Sequence, residues 1–246
     1  MIFENFKRAR LAVLSESVVT EGVGGLGEKA VHKILKLTIE PDVTKHEVKY
    51  LGSIADIKND DGIYEIQTRH PENLSKKLEK LLPECKVTLV IPLIKEKRIR
   101  WINTQTGEIS EPRKSPKSED AYTAINQLHP IAKFFTHPNF RLKLIFLSAD
   151  EYKRLDGWDK TKKKGATRIE RIPSELLSVI DFNSVSDYER YIPSEISGEF
   201  LAKDFARAIK RPSRFTYFVI RFFVNLGLVA PIGKEGRAIK YMRKGT

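Results

Sequence analysis

Residues 54–70, IADIKNDDGIYEIQTRH, decide how this chain is read. Two short runs, SIADIK (53–58) and GIYEIQT (62–68), flank a turn sequence whose Asp61-Gly62 step is a strong hairpin signal. Side chains on a strand alternate between faces. Ile54 and Asp56 therefore share one face of the first run, and Ile63, Glu65 and Gln67 share one face of the second. If the strands pair across the turn, Asp56 and Glu65 project to the same side of a sheet. Neighbouring carboxylates repel unless a cation stands between them. A divalent oxygen-seeking ion, Mg2+ or Mn2+, removes that cost and would polarise a phosphate and a bound water.

Outward from the hairpin, HEVKYLG (46–52) reads as a third extended segment. Before it, GEKAVHKILKL, from Gly27, spaces Ala30, Ile34 and Leu37, with Val31 and Leu35 widening the stripe, as a helix burying one face would. Glu28 and His32 stand one turn apart at its margin. After the hairpin, PENLSKKLEKLL places Leu74, Leu78, Leu81 and Leu82 at helical spacing until Pro83 closes the helix. KVTLVIPLI (86–94) is nearly continuous in apolarity, the pattern of a strand covered on both faces. The order α-β-β-β-α-β predicts an α/β core with a central mixed sheet flanked by helices. EPRKSPK (111–117) reads as a polar surface loop, followed by a helix over 119–135 and a strand over 141–148. The expected domain is 1–185, with its core at 24–95 and an extension at 96–185.

Charge singles out the other end of the chain. The net charge is +12 over 246 residues, and from Lys203 to Thr246 eleven Lys or Arg stand against two acids. Such asymmetry points to a polyanionic partner. Nucleic acid fits better than an acidic membrane surface, because no basic amphipathic anchor helix accompanies the charge. LAKDFARAIK sets Leu201, Phe205 and Ile209 four apart; after a Pro-Ser break, RFTYFVIRFFVNLG aligns Phe215, Phe218, Val219, Phe222 and Leu226 on one face. Arg214, Tyr217, Arg221 and Asn225 fall on the opposite face, and Gly227 can cap the helix. LVAPIGKEGRAIKYMRK then reads as a hairpin with Lys234 and Arg237 at a basic tip. Helix, break, helix and basic hairpin predict a winged helix-turn-helix over 191–246. Its exposed helical face would contact phosphates and base edges of duplex DNA, and the hairpin tip the adjacent phosphates.

The remaining signals mostly exclude. One cysteine, Cys85, rules out an internal disulfide and a Cys-rich zinc site, in keeping with a reducing compartment. No run of about eighteen apolar residues exists, so the expected setting is the cytoplasm, without a membrane partner. GVGGLG (22–27) lacks the strand and the Gly-Lys-Ser/Thr of a P-loop and reads as an entry to the first helix. EYKRLDGWDKTKKKGATRIER (151–171), with Trp158, reads equally as a DNA-contacting loop and as a solvated charged face. His32 reads as a packing or surface residue, and His129 and His137, each before proline, as turn residues.

The helix bearing Glu28, then Asp56, then Glu65-Ile66-Gln67 on the next strand, resembles the PD-(D/E)XK nuclease superfamily over residues 24–95. The resemblance implies a restriction-endonuclease-like fold and metal-dependent hydrolysis of DNA. It implies Asp56 and Glu65 as ligands of Mg2+ or Mn2+, the Ile66 carbonyl as a further ligand, and Glu28 assisting. Two positions depart from the pattern. Ala55-Asp56 stands for the family's Pro-Asp, and Gln67 for its lysine; an amide positions water through hydrogen bonds but supplies no charge. Arg69 and Lys58 lie near enough in the chain to supply that cation. The leading expectation is a DNA endonuclease, with a homodimer admitted. The alternative is a nuclease-like DNA-binding regulator or accessory factor without cleavage. A structural adaptor with a basic tail, the third reading, predicts no affinity for DNA.

Overall fold

A computed structural model describes residues 1–20, 29–103, 105–154 and 167–244. Glu28, the glycines at 22–27 and Trp158 lie outside the described residues. The elements in chain order begin with helices α1 (Ile2–Thr20) and α2 (Lys29–Ile39) and strands β1 (His46–Tyr50), β2 (Ser53–Asn59) and β3 (Gly62–Ile66). Helix α3 (Ser75–Leu81), strands β4 (Val87–Ile102) and β5 (Arg113–Lys114), helix α4 (Ala121–Leu128) and strands β6 (Phe140–Arg154) and β7 (Thr167–Phe182) follow. The chain ends with β8 (Glu199–Leu201), helices α5 (Ala202–Ala208) and α6 (Ser213–Asn225), and strands β9 (Val229–Glu235) and β10 (Ala238–Arg243). The architecture is α/β. A large mixed sheet of seven strands runs β1-β2-β3-β4-β6-β7, with β5 on β4, and a second sheet runs β8-β10-β9.

The β1–β2–β3 meander follows from its turns. Leu51 and Gly52 take positive φ of 46° and 71°, which ends β1 at Tyr50, two residues short of the expected stretch. Asn59 faces Gly62 across the second hairpin, and Gly62 adopts φ 129°, open to glycine and costly for other residues. The Asn59 side chain accepts the Asp61 N–H at 3.1 Å and helps fix the turn. Ile57 and Ile63 are buried on opposite faces of the hairpin, and α2 buries Ala30, Val31, Ile34 and Leu35.

Several elements differ from expectation for identifiable reasons. The expected helix over 119–135 is an α-helix only to Leu128 and continues as a 3-10 helix over His129–Thr136, because Pro130 removes an N–H and crowds the preceding turn. The helix expected from Pro71 likewise opens with a 3-10 turn, Pro71–Leu74. Strands β4 and β6 run past their apolar halves into charged residues, where Arg98 and Ile99 pair with Lys114 and Arg113 of β5 inside the expected loop. Neither α1 nor β7 carries a strong sequence pattern. Helix α1 buries Phe6, Ala9 and Val13, and β7 contains Pro173, which is tolerated at the end of a sheet.

The chain divides into two compact units that do not follow chain order: 1–66, 92–120 and 145–179 in the first; 67–91, 121–144 and 180–246 in the second. This differs from a division at 185–191. The second unit draws the C-terminal helices onto α4 and the 3-10 helix after it. The Asn126 amide donates to the Phe215 carbonyl at 3.1 Å, and the Phe135 and Phe222 rings lie 5.0 Å apart. No helix among the described residues is long and apolar enough to cross a membrane.

Candidate functional site

Asp56 sits midway along β2, half-buried. Its chain neighbours Ala55 and Ile57 face Val48 and His46 of β1, so Glu47 stands beside it on that flank. On the other flank Ile57 faces Tyr64 of β3, and the same register brings Glu65 alongside. Antiparallel partners point to the same face. Positions 47, 56 and 65 therefore form a row of carboxylates across three strands, on the side that α2 faces.

Helix α2 meets this row with two side chains one turn apart. His32 Nε2 lies 3.0 Å from Asp56 Oδ2, and Lys36 Nζ contacts Glu47 Oε1. The Ile66 backbone N–H donates to Asp56 Oδ2 at 2.7 Å. That contact diverts a ladder group of β3 to a side chain, and β3 ends there rather than at Thr68. His32, Glu47 and Asp56 each offer a ligand atom, all within 4.8 Å of one another. Glu47 adopts φ 51°, an uncommon conformation for a residue with a side chain. Glu65 is 3% exposed, a carboxylate held in the sheet.

The other expected site residues are placed as follows. Gln67 donates its backbone N–H to the Val90 carbonyl at 2.9 Å and its side-chain amide to the carbonyl of Arg69. Lys58 Nζ stands 5.0 Å from the centre of the Tyr50 ring, and Arg69 is exposed. Ile66 has a buried side chain. His32, read from sequence as a packing or surface residue, joins the cluster. Its signal was the four-residue spacing of His32 and Lys36 along one margin of α2. Glu47 carried none, since its place beside Asp56 depends on strand register.

In the second unit, Arg214, Tyr217, Arg221 and Asn225 of α6 are all exposed and form one stripe. The buried side corrects the expected apolar face. Val219, Phe222 and Leu226 are buried as expected, but Phe215 and Phe218 are only half-buried, and Ile220 and Phe223 complete the core. The helix is covered on more than one side: the Phe218 ring lies 4.5 Å from His129, Phe222 lies 5.6 Å from Tyr188, and Phe223 lies 6.0 Å from Phe205. Gly227, at φ 75°, ends the helix, and its N–H reaches the Val224 carbonyl at 3.0 Å. In the β9–β10 hairpin, residues 231–239 are all exposed, with Lys234 facing Ile239 and Arg237 in the loop.

A third charged cluster lies in the first unit around Glu151, which is 4% exposed. Its Oε2 accepts from Arg171 at 2.8 Å and from Lys97 at 3.4 Å, and Lys153 approaches Oε1 at 3.7 Å. Burial pushes the Glu151 carboxyl upward, but the Arg171 hydrogen bond and the charges of Arg171, Lys97 and Lys153 outweigh it and hold it below the usual range. Lys97 moves down as well: burial leads, Arg171 and Lys153 add to it, and Glu151 only partly offsets them. The two directions conflict if the contact is read as a simple pair. They agree once one carboxylate is seen to serve three cations.

A family model described as "Domain of unknown function (DUF8091)" matches residues 29–183. The chain belongs to the DUF8091 family. The DUF8091 match spans α2 through β7, so it contains His32, Lys36, Glu47, Asp56, Glu65 and Gln67, and it ends before α5. A relative in Treponema pallidum (strain Nichols), named "Uncharacterized protein", is 26% identical over 218 residues, covering 88% of this chain and 86% of its own. No solved structure matches.

Proposed function

We propose that this protein is a metal-dependent DNA endonuclease, with a restriction-endonuclease-like core over the β1–β4 region and a winged helix-turn-helix formed by α5, α6 and the β9–β10 hairpin. The observation that carries the reading is the row Glu47, Asp56, Glu65 on three adjacent strands, faced by the imidazole of His32. The donor set of carboxylate oxygens and an imidazole nitrogen fits a divalent cation. Asp56 and Glu65, with the Ile66 carbonyl, would hold Mg2+ or Mn2+, and the ion when bound supplies charge to a phosphate oxygen and acidity to a water.

The chain's own groups have separate tasks. The Ile66 N–H fixes the Asp56 carboxylate, and Gln67 orients water once its amide leaves the Arg69 carbonyl. Glu28, outside the described residues, keeps the assisting role that the resemblance implies. In the second unit, Arg214 and Arg221 contact phosphates or guanine edges, Tyr217 the backbone and Asn225 adenine, and Lys234 and Arg237 extend the phosphate contacts. The test is incubation with supercoiled, linear and branched DNA in Mg2+ or Mn2+, beside Asp56→Ala and Glu65→Ala. Cleavage that both substitutions abolish supports the reading, and cleavage indifferent to both defeats it.

One observation favours a second reading, a nuclease-like DNA-binding regulator without cleavage: the Gln67 amide donates to a backbone carbonyl, where the superfamily carries a lysine. This reading predicts tight DNA binding with no cleavage on every substrate.

A further inference from the structure

Resting on the nuclease reading, we propose that the cation site is completed by His32 and Glu47, and that it therefore takes Mn2+ in preference to Mg2+. The three ligand atoms of His32, Glu47 and Asp56 lie within 4.8 Å of one another, and His32 Nε2 is 3.0 Å from Asp56 Oδ2. Two ligands at about 2.1 Å from one ion and at right angles to each other stand roughly 3.0 Å apart, so this spacing already suits adjacent positions on a first-row metal. Mg2+ keeps several of its waters and prefers oxygen, whereas imidazole nitrogen is a better ligand for transition ions. A histidine at this place thus selects against Mg2+.

Two further contacts fit the role. The Ile66 N–H on Asp56 Oδ2 fixes the carboxylate, the kind of outer contact that orients metal ligands. Lys36, one turn along α2 from His32, holds Glu47 with an ammonium group that an incoming ion would have to displace. Removing that ammonium should strengthen metal binding, whereas if the contacts are only structural ion pairs it should do nothing or loosen the fold.

The test is calorimetric titration of the full chain with MnCl2 and with MgCl2, for wild type, His32→Ala, Glu47→Gln and Lys36→Gln, each checked for folding by circular dichroism. The expected result is Mn2+ bound at least about tenfold more tightly than Mg2+. His32→Ala should weaken Mn2+ at least about tenfold while barely changing Mg2+, Glu47→Gln should weaken both, and Lys36→Gln should strengthen both. Equal affinities, a preference that survives His32→Ala, or no binding of either ion overturns the inference. Should His32→Ala fail to fold, the wild-type ratio of Mn2+ to Mg2+ affinity decides the preference, and Glu47→Gln and Lys36→Gln decide the site. DNA cleavage measured on the same samples separates the two claims: Mn2+ selectivity without cleavage keeps the inference and removes the nuclease, and Mg2+-supported cleavage indifferent to His32→Ala does the reverse.

Discussion

Asp56 concentrates more interactions than its place in a hairpin requires, since one of its oxygens takes both the Ile66 N–H and the His32 ring. Asp56→Asn keeps the shape and one acceptor oxygen, so it should leave the thermal midpoint within a few degrees of wild type while removing metal binding by calorimetry. Glu151 is the opposite case, a carboxylate whose work is structural. Glu151→Gln leaves Lys97, Arg171 and Lys153 without their anion and should cost about 2–4 kcal/mol in urea unfolding, below the full cost of breaking a buried pair because the cations are partly exposed. Lys97→Met should cost much less or stabilise, since burial and two neighbouring cations already disfavour its charge. The pH dependence has a definite sign. A carboxyl held low in the fold stabilises above its unfolded pKa and loses that contribution as pH falls through the lowered folded value, so Glu151→Gln should flatten the acid limb of the stability curve below the ordinary glutamate range.

At the scale of elements, α6 separates stability from binding along one helix. Phe222 is fully buried between Phe135, Tyr188 and Phe223, so Phe222→Ala should cost about 3–5 kcal/mol by denaturant titration. Arg221→Ala on the exposed stripe should leave unfolding unchanged, weaken DNA binding and lower the salt slope by about one. The meander, α2, the apolar part of β4, both C-terminal helices and the hairpin were legible in the sequence, because each is a short periodic segment bounded by its own turn or cap. Strand β7 was not. TRIERIPSELLSVIDF mixes charges and a proline, and it holds as a strand through partners distant in the chain, such as Glu151 for Arg171. Helix α1 was hidden for a similar reason: its narrow stripe of Phe6, Ala9 and Val13 gains meaning only once the helix packs on α2, with Arg10 donating to the Pro173 carbonyl at 2.9 Å. At the site, alternation alone set Asp56 and Glu65 on one face. Glu47 and His32 needed the register of β1 and the placement of α2, which no local pattern encodes.

At the scale of the whole molecule, the proposal is a division of labour between a first unit that holds the cation and a second that carries the basic helix and hairpin. It predicts DNA binding that needs no metal and falls steeply with salt, with log affinity linear in log salt concentration, as counterion release requires. Substitutions at Arg214, Arg221, Lys234 or Arg237 should change affinity without changing the rate of the bound complex, and substitutions at Asp56 or Glu65 should do the reverse. The most direct measurement is therefore the single-turnover nicking rate of supercoiled plasmid at saturating protein in Mn2+, comparing wild type with Asp56→Ala at matched DNA occupancy. The account predicts nicking by wild type, abolished by chelation, and a loss of at least about a thousandfold in Asp56→Ala with binding intact. Equal rates in the two proteins, or wild type that saturates the plasmid and never nicks it, would contradict it.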